Sequence, residues 1–342
     1  VRIPHRKPGK GGIVDTVDLV LEGGGVKGAG LAGAVTALGG QFKFHRVAGT
    51  SAGAIVASFV AAGLADQLES IMIGTDFTTF EDQGGGLLRH LGRVGQGEQV
   101  LFHEGIYKGE ALHKWITATL AKGGVHTWGD LRCDGTDENT PVEQRYRLVV
   151  IVSDISRGRM LRLPWDYLTL LGADPDTMPV ADGVRASASI PFFFRPWHLP
   201  VRKDLADGHD KLVLTDGGML SNFPITLFDD DTDHATLGVK LSARLSLQQH
   251  GWNVSDDPVS LGKALISTMC SAHDQLYVDQ ESVCARTVFV DTSGVSSTDF
   301  KLSEAIKQDL YHKGAVAADE FLGTWNFETW KKLYGKQAGY QP

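Results

Sequence analysis

An α/β fold with a mostly parallel sheet is what this chain predicts, and three observations carry that expectation. An alternating, β-rich run at residues 16–21 enters a glycine loop and then a helical pattern at 31–38. A hydrophobic run at 44–48 passes through Gly49-Thr-Ser-Ala-Gly53 into small and apolar residues at 54–62. A short apolar run at 211–215 ends in Asp216-Gly-Gly. Strands that alternate with helices across tight turns are the signature of parallel strands joined by helical crossovers. The 342 residues suffice for one large α/β domain or two ordinary ones. No internal repeat or interdomain linker interrupts them, so one domain over residues 16–342 is expected. A basic, flexible leader is expected at 1–15.

Bulk composition narrows the partners. A net charge of −8 gives no reason to expect nucleic-acid binding and argues against strong attraction to anionic lipid. No run approaches the eighteen apolar residues of a membrane-spanning helix. The first thirteen residues lack an apolar core and are not a signal peptide as they stand. A cytoplasmic location, or a peripheral one at a membrane surface, is expected. Because residue 1 is Val1 rather than Met, a trimmed leader would leave secretion open. Cys133, Cys270 and Cys284 have neither zinc-site spacing nor an even count, and read as free thiols.

In chain order, the first strand runs into Glu22-Gly23-Gly24-Gly25-Val26-Lys27-Gly28. Gly23-x-Gly25-x-x-Gly28 matches the dinucleotide fingerprint, which also needs an acidic residue about twenty positions on. None lies between Glu22 and Asp66, and no Gly-Lys-Ser/Thr makes a phosphate loop. What remains is a glycine loop at a helix start, whose bare N–H groups suit an anion. A transient anion would make it an oxyanion hole, with the positive charge of Lys27 nearby. The second strand delivers Ser51 to a sharp turn before a helix, the pattern of a nucleophile elbow.

Residues 65–73 read as a helix, and 84–97 as a glycine-rich, partly apolar stretch that fits either a lid or ordinary surface. Leu112, Trp115, Ile116 and Leu120 recur at helical spacing and predict core packing. Residues 131–144 form a polar turn, 146–153 a buried strand and 181–188 a helix stopped before Pro191. Phe192, Phe193 and Phe194 beside Trp197 cannot all face one core, so acyl-pocket lining and core filling both stand. Asp216 ends a strand, where α/β sheets place functional groups. The acidic run at 229–233 lacks the glycine and distal glutamate of a calcium loop and reads as a solvated turn. Strands are expected at 236–241 and 287–290, and helices at 261–286 and 303–322. The last should bury Ile306, Leu310, Val316 and Phe321.

Gly23-Gly-Gly-Val-Lys-Gly28, Gly49-Thr-Ser-Ala-Gly53 and Asp216-Gly-Gly218 stand in a definite order that resembles the patatin-like phospholipase family. Arg185-Ala-Ser-Ala-Ser-Ile-Pro191 and Asp216-Gly-Gly-Met-Leu-Ser-Asn-Phe-Pro224 resemble further segments of it. The likeness covers roughly residues 16–241, with 242–342 less diagnostic. It implies a three-layer α/β/α fold and a Ser–Asp dyad without a catalytic histidine. By position Ser51 is the nucleophile and Asp216 its base. Gly24, Gly25 and Val26 N–H groups are the oxyanion-hole candidates. Gly23, Lys27, Gly28, Gly49, Gly53, Gly217 and Gly218 support the motifs. Glu22 stands where aspartate is frequent, and Lys27 where arginine is also common.

The implied activity is that of a serine lipid acyl hydrolase, acting on phospholipids or related acyl lipids. No cofactor, metal or calcium is required by any motif. One physical difficulty stands: an aspartate of ordinary pKa near 4 is a weak base for serine. Burial would raise it. Three rival readings remain open. A Ser-His-Asp triad draws on twelve histidines but does not explain the glycine loop before the elbow. The others are a non-catalytic lipid-binding protein on the same scaffold and a nucleotide-binding oxidoreductase using Gly23–Gly28.

Overall fold

The computed structural model describes residues 15–82, 105–230, 234–242, 268 and 280–335. The leader expected at 1–15 lies outside these, except Asp15, which opens the first strand. The stretch at 84–97, Cys270 and most of the helix expected at 261–286 also lie outside them. Among the described residues the strands are β1 (Asp15–Leu21), β2 (Phe42–Thr50), β3 (Gly105–Tyr107), β4 (Leu148–Asp154), β5 (Arg159–Leu163), β6 (Phe192–Phe194), β7 (Trp197–Pro200), β8 (Lys211–Asp216), β9 (Ala235–Lys240) and β10 (Thr287–Phe289). The helices are α1 (Gly28–Gly39), α2 (Ala52–Ala61), α3 (Leu68–Gly74), α4 (Glu110–Lys122), α5 (Val180–Ser187), α6 (Glu281–Cys284), α7 (Glu304–Leu322) and α8 (Phe327–Tyr334).

The main sheet has the order β10-β9-β1-β2-β4-β8-β7, with β5 also on β4. From β10 to β4 every pairing is parallel. β8, β7 and β5 join antiparallel. The expected α/β class with a mostly parallel sheet is therefore present, and its antiparallel end is what the sequence reading did not separate. All seven residues of β4 are buried, as befits a strand covered on both faces. β3 and β6 form a separate parallel pair.

Two helix groups flank the site. α1 packs against α3 and α7, while α2 packs against α4 and α5. The α1–α7 contact explains the glycines within α1. A Cβ on Gly33 would collide with the Tyr311 carbonyl, and one on Gly314 with the Gly30 carbonyl. The helix backbones thus touch through small residues. This corrects the expected face of α7: Leu310 is buried, but Ile306 and Val316 are 40% and 39% exposed. The buried face is Lys307, Leu310, Tyr311, Gly314, Ala315 and Ala318. Close backbone approach selects small side chains there and turns larger apolar ones outward. Lys307 is usefully buried, because its ammonium donates to the Ile73 and Thr75 carbonyls at the end of α3, both at 2.7 Å.

A second correction concerns the acidic run at 229–233. Asp229 is not solvated: it receives two hydrogen bonds from buried Arg286, at 2.5 and 2.6 Å. Residues 231–233 lie outside the described set. Cys133 is a buried thiol without a disulfide, and burial pushes its pKa up. No helix among the described residues is long and apolar enough to cross a membrane.

Candidate active site

The register of β4 brings the two ends of the site together. Thr50 of β2 pairs with Ile151, and Asp216 of β8 pairs with the next residue, Val152. β5 covers residues 150–154 of β4, so β2 and β8 must share the opposite edge. β2 runs parallel to β4 and β8 antiparallel, so their C-terminal ends meet head to head. Ser51 follows the end of β2, and Asp216 is the end of β8.

Ser51 sits at φ 53°, ψ −121°, a conformation that costs a non-glycine residue about 1–3 kcal/mol and persists only where surroundings enforce it. The glycines around it permit the crowding: a Cβ on Gly49 would strike Gly53, and one on Gly53 would strike the Leu21 carbonyl. Ser187 enforces the turn. Its hydroxyl accepts from Ser51 N–H at 2.9 Å and donates to the Ile151 carbonyl at 2.6 Å. Two residues on, the Ser189 carbonyl accepts Asp216 N–H at 3.0 Å and the Thr215 hydroxyl at 2.8 Å. One short segment therefore fixes both candidate residues. The segment 185–191 is legible as a motif, but nothing in the sequence assigns a role to Ser187 or Ser189. Their only local signal was two serines at the end of a helix.

Arg185 anchors that segment from within the core. It is fully buried and donates to the carbonyls of Lys108, Gly109 and Arg195 and to the Ser189 hydroxyl. Burial without a direct carboxylate contact lowers its pKa to about 10, with the charge of Asp82 opposing.

Asp216 is 7% exposed. Its Oδ1 accepts Gly218 N–H at 2.8 Å, while Oδ2 is buried with no hydrogen-bond partner. Burial raises its pKa to about 6, against the weaker pull of the Ser51 hydroxyl and Gly218 N–H. The Ser51 hydroxyl pulls the carboxylate toward its charged form, and no hydrogen bond to Oδ2 is formed among the described residues. Catalytic contacts in unliganded sites are commonly loose in this way. Gly217 and Gly218 form a buried turn directly after Asp216.

The glycine loop lies against the serine, for a Cβ on Gly23 would come within 3.2 Å of Ser51 Cβ. Gly23 N–H donates to the Asn222 carbonyl at 3.0 Å. Among the described residues, the N–H groups of Gly24 and Gly25 donate to no acceptor. Val26 differs from the expectation: its N–H is taken by the Ser297 carbonyl at 3.0 Å. The polar segment around Ser297 crosses the loop at Gly25. Only glycine fits there, at φ +58°, since a Cβ would strike that carbonyl. Two free N–H groups at a helix start remain, one fewer than expected. Gly28 begins α1. Burial lowers the Lys27 pKa, partly offset by the charge of Glu22. Glu22 itself is spent structurally, on the Lys240 ammonium and on Leu241 N–H.

Beside Ser51 opens an apolar cleft with about 480 Å³ of empty space, counting its mouth. Ser51, Ala52 and Ile55 of α2 form one wall, and Leu112 and Trp115 of α4 another. Phe194 and Phe300 also line it. The three phenylalanines thus divide: Phe194 faces the cleft, Phe193 stacks on Phe300 at 4.5 Å, and Phe192 is exposed. Among the described residues no histidine lines the cleft or acts on Asp216. Such a triad finds no partner there.

One group of potential metal ligands, Asp18, His45 and His234, lies toward the other end of the strands. The two imidazoles stack at 4.3 Å and 22°. Nearly parallel rings at that spacing cannot direct in-plane lone pairs at one ion, and Arg46 already binds both Asp18 oxygens.

Comparison with known proteins places this geometry in context. A family model described as patatin-like phospholipase matches residues 19–229. The uncharacterized protein YqhO of Bacillus subtilis is 35% identical over 313 residues, covering 91% of this chain and 99% of that one. The uncharacterized protein R571 of Acanthamoeba polyphaga mimivirus is 25% identical, covering 87% and 90%. Among solved structures, VipD from Legionella pneumophila shares the fold, with a TM-score of 0.51 and 17% identity, over 90% of this chain and 67% of that one.

Proposed function

The chain belongs to the patatin-like phospholipase family, and from that premise we propose that it is a serine lipid acyl hydrolase using Ser51 and Asp216. The family supports lipid hydrolysis in general. The finer reading is carried by one observation: β2 and β8 end on one edge of β4, bringing a strained serine to a buried carboxylate beside an apolar cleft.

In this reading Ser51 Oγ attacks the ester carbonyl carbon while its proton passes to Asp216. The carbonyl oxygen, now negative, is met by the N–H groups of Gly24 and Gly25. Loss of one such donor typically costs about 3–4 kcal/mol of barrier lowering. Asp216 returns the proton to the departing alcohol as the C–O bond breaks, leaving the acyl group on Ser51. Water then attacks the acyl carbon and gives a proton to Asp216, which passes it to Ser51 Oγ as the Oγ–acyl bond breaks, freeing the fatty acid and restoring the serine and the carboxylate. A carboxylate raised to about 6 is better matched to this cycle than one near 4, yet still mostly ionised at neutral pH. The acyl chain occupies the apolar cleft, so the substrate is delivered at a lipid or membrane surface.

Two variants and a probe test the proposal. Ser51→Ala and Asp216→Asn are each expected to abolish ester hydrolysis with circular dichroism unchanged. A fluorophosphonate should label Ser51, with the site read by peptide mass spectrometry. Full turnover in either variant, or labelling at another serine, would refute the dyad. Product analysis on a mixed-lipid panel, native against Ser51→Ala, then identifies the lipid class.

A further inference from the structure

We infer that Trp115, braced by Phe59 and Phe80, closes the far end of the cleft and limits the acyl chain to about eight to ten carbons. The inference rests on Ser51 as the acylated residue.

Helix α2 serves as the ruler. Ser51 stands at its N-terminus, and Ile55, one turn on, still lines the cleft. Phe59, a further turn on, is fully buried and does not. The indole of Trp115 stands edge-on against Phe59, centroids 5.3 Å apart at 77°. Phe80 also packs against Trp115, at 5.2 Å, and Phe77 follows at 6.0 Å from Phe80. Trp115, Phe80 and Phe77 line the cleft, so a chain moving along α2 from the serine meets this aromatic group.

The distances set the length. A helix rises 1.5 Å per residue, which puts Ile55 about 6 Å and Phe59 about 12 Å from Ser51 along the axis. An extended alkyl chain, with bonds near 1.5 Å, advances about 1.3 Å per carbon. About eight to ten carbons therefore reach the Trp115–Phe59 contact. The lining is aliphatic and aromatic up to that point, so each methylene that fits improves binding by up to about fourfold. The first carbons beyond it must displace a half-buried ring that packs against two others, and inserting extra methylenes against packed side chains is costly.

Rings from three separate segments meet at the stop, so it is stiffer than a single side chain. Ile190, Phe194 and Phe300 complete the apolar lining.

Single-chain p-nitrophenyl esters from C4 to C16, each below its aggregation limit, read the optimum directly. For the native chain, kcat/KM should rise to about C8–C10 and fall by C14. Trp115→Ala should raise the C14/C8 ratio at least about tenfold. Phe80→Ala and the milder Trp115→Leu read the same ratio should Trp115→Ala fail to fold, and both should raise it. A native preference for C16 over C8, or folded variants with an unmoved ratio, would overturn the stop. Hydrolysis that persists in Ser51→Ala at every chain length would overturn the dyad reading and this inference with it.

Discussion

Two aspartates of the central sheet are both buried, and they titrate in opposite directions. Asp18 on β1 is inaccessible and binds Arg46 through both oxygens and the Arg46 N–H. Burial pushes its pKa up, but hydrogen bonds from His45 and Arg46 and the Arg46 charge outweigh that and hold it below the ordinary value. Asp216 on β8 is also buried, meets no cation among the described residues, and rises to about 6. Burial alone therefore does not make a base. What distinguishes the two is whether the fold supplies a compensating charge. A paired carboxylate is a structural brace, while an uncompensated one retains affinity for a proton.

Replacing each aspartate by asparagine should separate these roles. The largest effect is expected on rate: Asp216→Asn should lower kcat by about 10²–10⁴-fold, the usual worth of a general base, while Asp18→Asn leaves the dyad geometry in place. Steady-state kinetics on a short-chain ester, for folded fractions of both variants, make the comparison. Equal losses in the two would erase the distinction.

Stability should move the other way. Asp18→Asn removes the carboxylate that holds the buried Arg46 guanidinium through both oxygens, and breaking a buried pair typically costs about 3–5 kcal/mol. Urea unfolding at pH 7 measures it, and a cost under about 1 kcal/mol would mean the pair is dispensable. Asp216→Asn should stabilise the fold at pH 7 by as much as about 3 kcal/mol, the equivalent of some two pKa units. The asparagine carbonyl can still accept Gly218 N–H, so the cap survives. The gain is reduced by the cost of burying the amide N–H groups where Oδ2 has no partner, about 1–3 kcal/mol, and a variant destabilised by more than that would mean the buried carboxylate charge does not strain the fold.

The signs follow from linkage. The folded pKa of Asp216 lies above its unfolded value, so the native state holds the extra proton between about pH 4 and 6. Its ionisation then weakens the fold as pH rises through that window. Asp18 has a lowered folded pKa, so its contribution is present above about pH 4 and lost as pH falls through the folded value. The smallest effect is on the rate profile: kcat/KM should rise about tenfold from pH 5 to pH 7 with a midpoint near 6, as an initial-rate series would record. A profile flat across that range would remove Asp216 as the titrating base.

Much of the site was legible in the chain because its requirements are local. A serine squeezed between two backbones needs Gly49 and Gly53, and a loop of open N–H groups needs Gly24 and Gly25; sequence neighbours report both. Ser187 was not legible, because its hydroxyl bonds to Ser51, 136 positions away. Nothing beside Val26 reveals that the Ser297 carbonyl takes its N–H. Trp115 was read as core by its helical spacing, and it does pack on Phe59. That its other side faces the cleft depends on α3 and the aromatic residues after it. The face of α7 departs from its large apolar residues because the helix meets α1 through small ones, Gly314, Ala315 and Ala318.

By itself the sequence determined the succession of strand, glycine turn and helix, the serine at the sharpest turn, and the aspartate at a strand end. These follow from steric rules that act between adjacent residues. Only the tertiary structure decided, among the described residues, which buried carboxylate lacks a cation, which loop N–H groups stay open, and which side chains line the apolar cleft. Desolvation, hydrogen-bond competition and close packing are set by atoms from distant segments, and the register of β2 and β8 on one edge of β4 brings those segments together.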